Sequence, residues 1–280
     1  SFQIRIDLIP IPVKEKLQGK TALITGASEG VGRAIAEALS HYEMKLGLVA
    51  RSQKNLIEVA KNVDRNGSEA VIIRADLRVQ SEIEGIIEQI NTKFGVLSFL
   101  INNAGIGFRG YWGGISMQSE LDTMAVNYTA PVTLIRSLLP DMLKAGKGHI
   151  ININSIAGLY AAPYSGAYCA SKSALTAYVE SLAYELENTN VHISSLFPGP
   201  IDTRFLSYPN FENFKKSPGI VSPSYIAKKV LSVIASPRER VFIGSLLKLI
   251  AVKIVNLNPR FFRKVIEKKN KPPKNFPTRE

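Results

Sequence analysis

The stretch from Ser155 to Lys172, SIAGLYAAPYSGAYCASK, carries Tyr168 and Lys172 four residues apart. A helix turns about 100° per residue, so this spacing sets both side chains on one face. A phenol is a poor acid at neutral pH. A fixed cation beside it stabilises the anion, lowers the pKa and lets the group exchange a proton with a substrate oxygen. Ser155 can hydrogen-bond the same oxygen. Taken alone the pair says little, because the chain has ten tyrosines and many lysines, and i,i+4 neighbours are usually surface pairs. Its weight depends on whether the other elements build a cofactor site that ends at this helix.

The totals set the frame for those elements. A chain of 280 residues, 45% hydrophobic and 21% charged, is expected to form a single globular α/β domain. No apolar run approaches the roughly 18 residues of a membrane span. The single cysteine, Cys169, excludes an intramolecular disulfide framework and fits a reducing, cytoplasmic setting. His41, His149 and His192 match no ligand spacing, so no metal is expected. Residues 1–16 alternate apolar and polar side chains before Pro10 and Pro12, which predicts an extended arm without a secretory pattern. The net charge of +12 is concentrated at one end: residues 236–280 hold twelve Lys/Arg against three Asp/Glu, and the other 235 residues hold 23 against 20. The basicity belongs to a tail rather than to the domain, so nucleic acid is not the expected partner.

From Lys20 a short apolar run, TALIT, meets a glycine-bearing turn, GASEGVG, and then RAIAEALSHY with helical spacing. Similar cycles follow at KLGLVA, AVIIRADL, VLSFLINNAG, HIININS and VHISSLFPG, with a long helix from about Gln118 to Ala145 and another beginning near Tyr164. Six such alternations predict a doubly wound parallel sheet with helices on both faces, a Rossmann-type fold whose ligands bind at the carboxyl edge of the strands.

The motifs fall at that edge. Gly26, Gly30 and Gly32 in TGASEGVG permit a tight turn and close approach of backbone to a pyrophosphate at a helix N-terminus. After the second strand stand Arg51 and Ser52 where an acid would favour NAD; a guanidinium and a hydroxyl suit a 2′-phosphate, and the plain alternative is that Arg51 solvates the next helix. Asp76 is placed to accept from an adenine amino group or to form a turn. The turn Asn102 to Gly105, NNAG, can lie against a cofactor without crowding it. Asn127 interrupts the apolar stripe of the long helix, which suggests either a local hydrogen-bonding role or a surface position.

In this order, TGASEGVG, Asp76, NNAG, Asn127, Ser155, YCASK and PGPIDT resemble the short-chain dehydrogenase/reductase family over residues 17–244. The resemblance implies Tyr168 as acid/base, Lys172 as the residue that holds the nicotinamide ribose and lowers the phenol pKa, Ser155 as the residue that orients the substrate carbonyl, and Asn127 as support for a proton relay through water. It implies cofactor contacts at Gly26, Ser28, Gly30, Val31, Gly32, Arg51, Ser52, Asp76, Leu77, Asn103, Ala104, Gly105, Tyr168, Lys172, Pro198, Gly199, Ile201 and Thr203. NADP(H) is favoured, with NAD(H) as the alternative. Glu29 departs from the pattern, because many NADP-preferring relatives have a basic residue there. The expected activity is hydride transfer between nicotinamide and a carbonyl or secondary alcohol, in a homo-oligomer (dimer or tetramer). The competing reading is a catalytically silent cofactor-binding scaffold of the same fold.

Two segments bear on the substrate. RFLSYPNFENFKKSPG offers Phe205, Leu206, Tyr208, Phe211 and Phe214 in a stretch without regular periodicity, read as a lid over an apolar, lipid-like, steroid-like or aromatic substrate, together with Leu159, Tyr160 and Tyr164, with an oligomer contact as the alternative. Tyr111 and Trp112 either wall that pocket or pack under a loop. VFIGSLLKLIAVKIVNLN predicts an amphipathic helix, and residues 245–280 a basic extension suited to peripheral membrane contact, a second subunit or the domain itself.

Overall fold

The computed structural model describes residues 13–207 and 219–244. Seven strands, β1 Thr21–Thr25, β2 Lys45–Ala50, β3 Glu69–Arg74, β4 Phe99–Asn102, β5 Gly148–Ile153, β6 Val191–Pro198 and β7 Arg240–Ile243, form one sheet in the order β3-β2-β1-β4-β5-β6-β7. Every pairing is parallel. The chain steps outward from β1 to β3 and then returns to β4 on the other side of β1. That reversal opens a crevice at the carboxyl ends of β1 and β4.

Alternation along the strands sends side chains into two cores. On one face Ala22 and Ile24 meet Ile35 and Leu39 of α2 (Gly30–Leu39), Leu56 and Val59 of α3 (Gln53–Arg65), and Ile226 and Val230 of α8 (Pro223–Ala235). On the other Leu23 and Leu100 meet Ile86 of α4 (Gln80–Phe94), Leu134 of α6 (Ala130–Lys144), and Leu175 and Val179 of α7 (Gly166–Glu185). The doubly wound architecture expected from the sequence is thus present.

Four local features differ from the expectation. Residues Val13–Leu17 form a helical turn, α1, rather than an extended arm; Leu17 is fully buried and the Lys16 ammonium donates to the Ala235 carbonyl at 2.6 Å, which ties the turn to α8. Val241 to Ile243 lie in a seventh strand paired with β6, not in a C-terminal helix, because β-branched and aromatic side chains there bury against the sheet. The long helix is interrupted: α5 (Met117–Met124) passes into a π-helical turn, Ala125–Thr129, before α6. α7 begins at Gly166, since Tyr164 takes a left-handed φ of 65° that a helix does not accept. Residues 1–12 of the expected arm, Tyr208, Phe211 and Phe214 of the expected lid, and the whole 245–280 extension lie outside the described residues.

Candidate active site

The crevice is a cleft of about 1030 Å³ running from Arg51 and Asp76 at one end to Ser155, Tyr160 and Tyr168 at the other. Of the expected contacts, Gly26, Ser28, Gly30, Val31, Arg51, Ser52, Asp76, Leu77, Asn103, Ala104, Gly105, Ser155, Tyr168, Lys172, Pro198, Gly199, Ile201 and Thr203 line it. Gly32 and Asn127 stand behind the wall rather than in it.

The first turn is built for close approach. Gly26 and Gly30 have φ of 66° and 56°, where a side chain would be strained. A Cβ on Gly26 would lie 2.9 Å from the Ala104 backbone, and one on Gly32 would collide with the Gly26 carbonyl. Thr25 stitches this turn to the NNAG turn: its hydroxyl accepts from the Asn103 and Ala104 amides at 3.0 and 3.1 Å. The Asn103 side chain donates to the Thr25 carbonyl at 2.9 Å, so its amide braces the turn while its backbone borders the cleft. Glu29, the N-cap of α2, caps no amide with its side chain, which leaves the first-turn N–H groups to an anion. Its carboxylate instead faces Arg204 at 3.6 Å across the cleft. This cradle fits a dinucleotide pyrophosphate.

At the far end Ser52 caps α3, accepting from the Asn55 amide at 3.4 Å, while Arg51 stays exposed at the mouth. The Asp76 carboxylate is gripped by Arg78: the Arg78 backbone N–H and Nε donate to Oδ1 at 3.0 Å each, and Nη2 donates to Oδ2 at 2.6 Å. Arg78 holds this carboxyl below its usual range, opposed by burial and assisted by the charge of Arg51.

The other end is held by α7 against β5. The Asn154 amide donates to the Lys172 carbonyl and to Thr176 Oγ1 at 3.3 and 2.8 Å. The Asn154 Oδ1 accepts from the Ser155 amide. Lys172 is only 4% exposed, and its ammonium donates to the Ile153 carbonyl at 3.1 Å. Burial pulls it down to about 8. The Tyr168 residue keeps some surface, yet its hydroxyl end is enclosed, and burial pushes the phenol up to about 12, opposed by a hydrogen bond with Ser155. The sequence expectation has Lys172 lowering this pKa; burial is the largest cause at the phenol and acts in the opposite direction.

Asn127 is fully buried within the π turn. Its Oδ1 accepts from the Ile106 amide at 2.9 Å; its Nδ2 donates to the Ile106 carbonyl at 2.8 Å and to Ser171 Oγ at 3.0 Å. Ser171 passes the chain on, donating to the Tyr168 carbonyl at 2.8 Å. Of the two readings of Asn127, the local hydrogen-bonding one holds. A Cβ on Gly105 would sit 3.4 Å from Asn127 Oδ1 and 3.7 Å from Lys172 Nζ, so the bare glycine leaves space where those two groups converge.

Residues unforeseen from sequence complete the site. Thr25, Asn154 and Ser171 are polar side chains on strand ends and an apolar helix face, and only their burial reveals them. Phe205 packs on Tyr168 with ring centroids 5.7 Å apart, and with Leu206 and Tyr160 it lines the apolar end. Tyr111 and Trp112 do not wall the cleft: Tyr111 packs edge-on to Tyr164, and Trp112 is 76% exposed. Cys169 packs as expected, its Sγ accepting from the Ala162 amide. His149 is buried against Ser194 Oγ at 2.8 Å.

Residues 20–211 match the short chain dehydrogenase family. Ketoacyl reductase HetN of Nostoc sp. is 33% identical over 228 residues, 81% of this chain and 79% of its own. A fatty acyl-CoA reductase of Acinetobacter baylyi is 34% identical over 235 residues, 81% of this chain and 77% of its own. Among solved structures, a Burkholderia phymatum short chain dehydrogenase/reductase in complex with NAD superposes with a TM-score of 0.79 at 25% identity, over 94% of this chain and 99% of that one. A metagenomic short-chain oxidoreductase in complex with NADP gives 0.71 at 30% identity, over 82% and 100%.

Proposed function

Because the chain belongs to the short-chain dehydrogenase family, an oxidoreductase family acting on CH–OH and C=O groups with nicotinamide dinucleotides, we propose that it is an NADP(H)-dependent carbonyl reductase or alcohol dehydrogenase for an apolar substrate. The observation that carries this reading is the hydrogen-bonded pair of Ser155 and Tyr168, which lines one cleft together with buried Lys172 and the glycine cradle.

In this reading the cradle residues Gly26 to Gly32 hold the pyrophosphate, Lys172 the nicotinamide ribose, and Pro198, Gly199 and Thr203 the nicotinamide end. The bound nicotinamide supplies or accepts hydride. Ser155 donates to the substrate oxygen and fixes it beside Tyr168, whose phenol gives or takes the proton. Lys172 is pre-positioned by Ile153, and Asn127 supports a water path at the gap beside Gly105. Arg51 at the mouth favours a 2′-phosphate, and pairing with Arg204 draws the Glu29 charge away from it. Phe205, Leu206, Tyr160 and Ile156 give the substrate end its apolar lining, which favours a lipid-like, steroid-like or aromatic carbonyl compound; the acyl substrates named for two relatives accord with this.

Partly or fully exposed Met117 and Leu121 on α5, beside Ala167 and Ala170 of α7, suit a homo-oligomeric contact. No described helix is long and apolar enough to cross a membrane; the basic 245–280 segment is the candidate for peripheral contact in a cytoplasmic setting, read out by salt-sensitive liposome flotation that ends on truncation after Gly244.

The deciding experiment for function is NADPH oxidation by the purified protein over carbonyl compounds graded in size and polarity. Turnover rising with apolar size supports the reading, and a preference for short polar ketones removes the substrate class.

A further inference from the structure

An ion-pair cluster of the cleft lies away from the reacting end. Arg78 directs three donor hydrogens, from its backbone N, Nε and Nη2, at the two oxygens of Asp76. A carboxylate has about four lone-pair sites. Nε is shared between the two oxygens, so the grip spans the carboxylate, yet the side chain keeps 19% of its surface exposed and stands in the cleft wall, where an oxygen edge can meet a ligand. The grip is anchored from behind. Nη1 of Arg78 donates to Asp122 Oδ2 on α5 at 3.0 Å, and Gln118 donates to the other Asp122 oxygen at 2.8 Å. The backbone N–H of Asp76 is also tied, to Glu82 Oε2 at 2.7 Å. A short carboxylate at a strand end would otherwise sample several rotamers and turn toward water; here its orientation is fixed by a planar fork that a lysine cannot reproduce.

We propose that Arg78 is a specificity-determining positioning residue, holding Asp76 so that its exposed oxygen edge reads the exocyclic amino group of the cofactor's purine and so selects adenine over hypoxanthine. The inference rests on the reading of Asp76 as the adenine acceptor and deepens it. An acceptor-only carboxylate favours an amino group and repels the 6-oxo group of hypoxanthine, and the discrimination holds only while the carboxylate cannot rotate away. Arg78 itself touches the purine's partner and not the reacting atoms. Its loss should therefore alter purine selectivity and cofactor KM while leaving kcat at saturating cofactor close to its original value.

The experiment measures dissociation constants of the full chain for NADPH, deamino-NADPH (the hypoxanthine analogue) and reduced nicotinamide mononucleotide. The same ratio is taken with NADH and deamino-NADH, so the result does not depend on the 2′-phosphate. The unsubstituted protein should favour the adenine form about tenfold, as expected for one hydrogen bond to a charged group. Arg78→Met should bring the ratio to within about threefold of unity, Arg78→Lys should restore only part of it, and mononucleotide binding should not change. If Arg78→Met fails to fold, Arg78→Lys and Arg78→Gln carry the comparison. A ratio unchanged in the Arg78 variants overturns the inference, as does equal weakening of all three ligands, which would mark a merely structural role. A ratio near one in the unsubstituted protein overturns the Asp76 reading and this inference with it, while leaving the Tyr168 chemistry untouched.

Discussion

The ring of Phe205 lies against the ring of Tyr168, centroids 5.7 Å apart and planes inclined at 46°, over a glycine that makes room for both. A Cβ on Gly107 would stand 2.9 Å from Phe205 Cζ and 2.9 Å from Tyr168 Cδ2. Gly107→Ala should therefore displace one ring or the other and lower kcat about tenfold with little loss of cofactor binding. In a Phe205→Ala background the same change should cost less, because one of the two close contacts is gone and the Tyr168 ring has room to yield. Equal costs in both backgrounds would show that the three residues do not act on one another.

Tyr168→Phe keeps the ring and its contacts but removes the proton. Turnover should fall by roughly 10²–10⁴ while NADPH affinity, measured by fluorescence titration, stays within about twofold. Retained turnover would take Tyr168 out of the acid/base role.

Lys172 gives a pH signature. Its pKa is pulled from 10.5 to about 8 by burial, so between these values the unfolded chain binds the proton that the folded chain releases. Stability must then rise with pH across that window. The lysine's contribution is fully present only above the unfolded value and is lost as pH falls through about 8. Tyr168 acts in the opposite sense only above about 10, where the unfolded phenol ionises first. Urea unfolding of the cofactor-free protein should therefore show stability relative to Lys172→Met increasing by on the order of 2 kcal/mol from pH 8 to pH 10. A flat difference would mean that the ammonium is hydrated.

At the cofactor mouth, Arg51→Asp should lower the NADP/NAD ratio of kcat/KM by tenfold or more, since it replaces attraction of the 2′-phosphate by repulsion. Glu29→Lys should raise the ratio. The exposed Glu29–Arg204 pair is of the kind worth at most about 1 kcal/mol, so Arg204→Ala should leave the melting temperature nearly unchanged and act on cofactor choice instead.

Asn127→Leu leaves the Ile106 N–H and carbonyl without their side-chain partner. The expected loss is about 2–4 kcal/mol, visible as a lowered urea midpoint; Asn127→Asp, which keeps an acceptor for the Ile106 amide, should lose less.

Much of this architecture was legible in the chain because local patterns and glycine positions are short-range signals. TALIT before GASEGVG announces a strand, a turn and a helix, and six of the seven strands could be found that way. β7 was hidden because Val241 to Ile243 run into the apolar stretch that follows them. Ser155, Tyr168 and Lys172 all line one cleft, yet the direction of the Tyr168 shift was not foreseeable, since it depends on how completely the hydroxyl is enclosed. Arg78 was invisible for a different reason: its partner Asp122 lies 44 residues away, and no periodicity links a loop to the face of a later helix. Asn127 could be flagged as anomalous, but its bonds to Ile106 and Ser171 exist only once three elements are packed.

The π turn at Ala125–Thr129 has a consequence for how this chain can evolve in length. Such a turn contains one residue more than an α-helical turn needs. Losing that residue would restore a straight helix but rotate α5 by about 100° relative to α6, carrying Asp122 off Arg78 and Asn127 off Ile106 in one step. Deletion scanning should thus find these five residues far less tolerant than the substitution of any exposed side chain on α5, because the packing depends on their number as well as on their side chains.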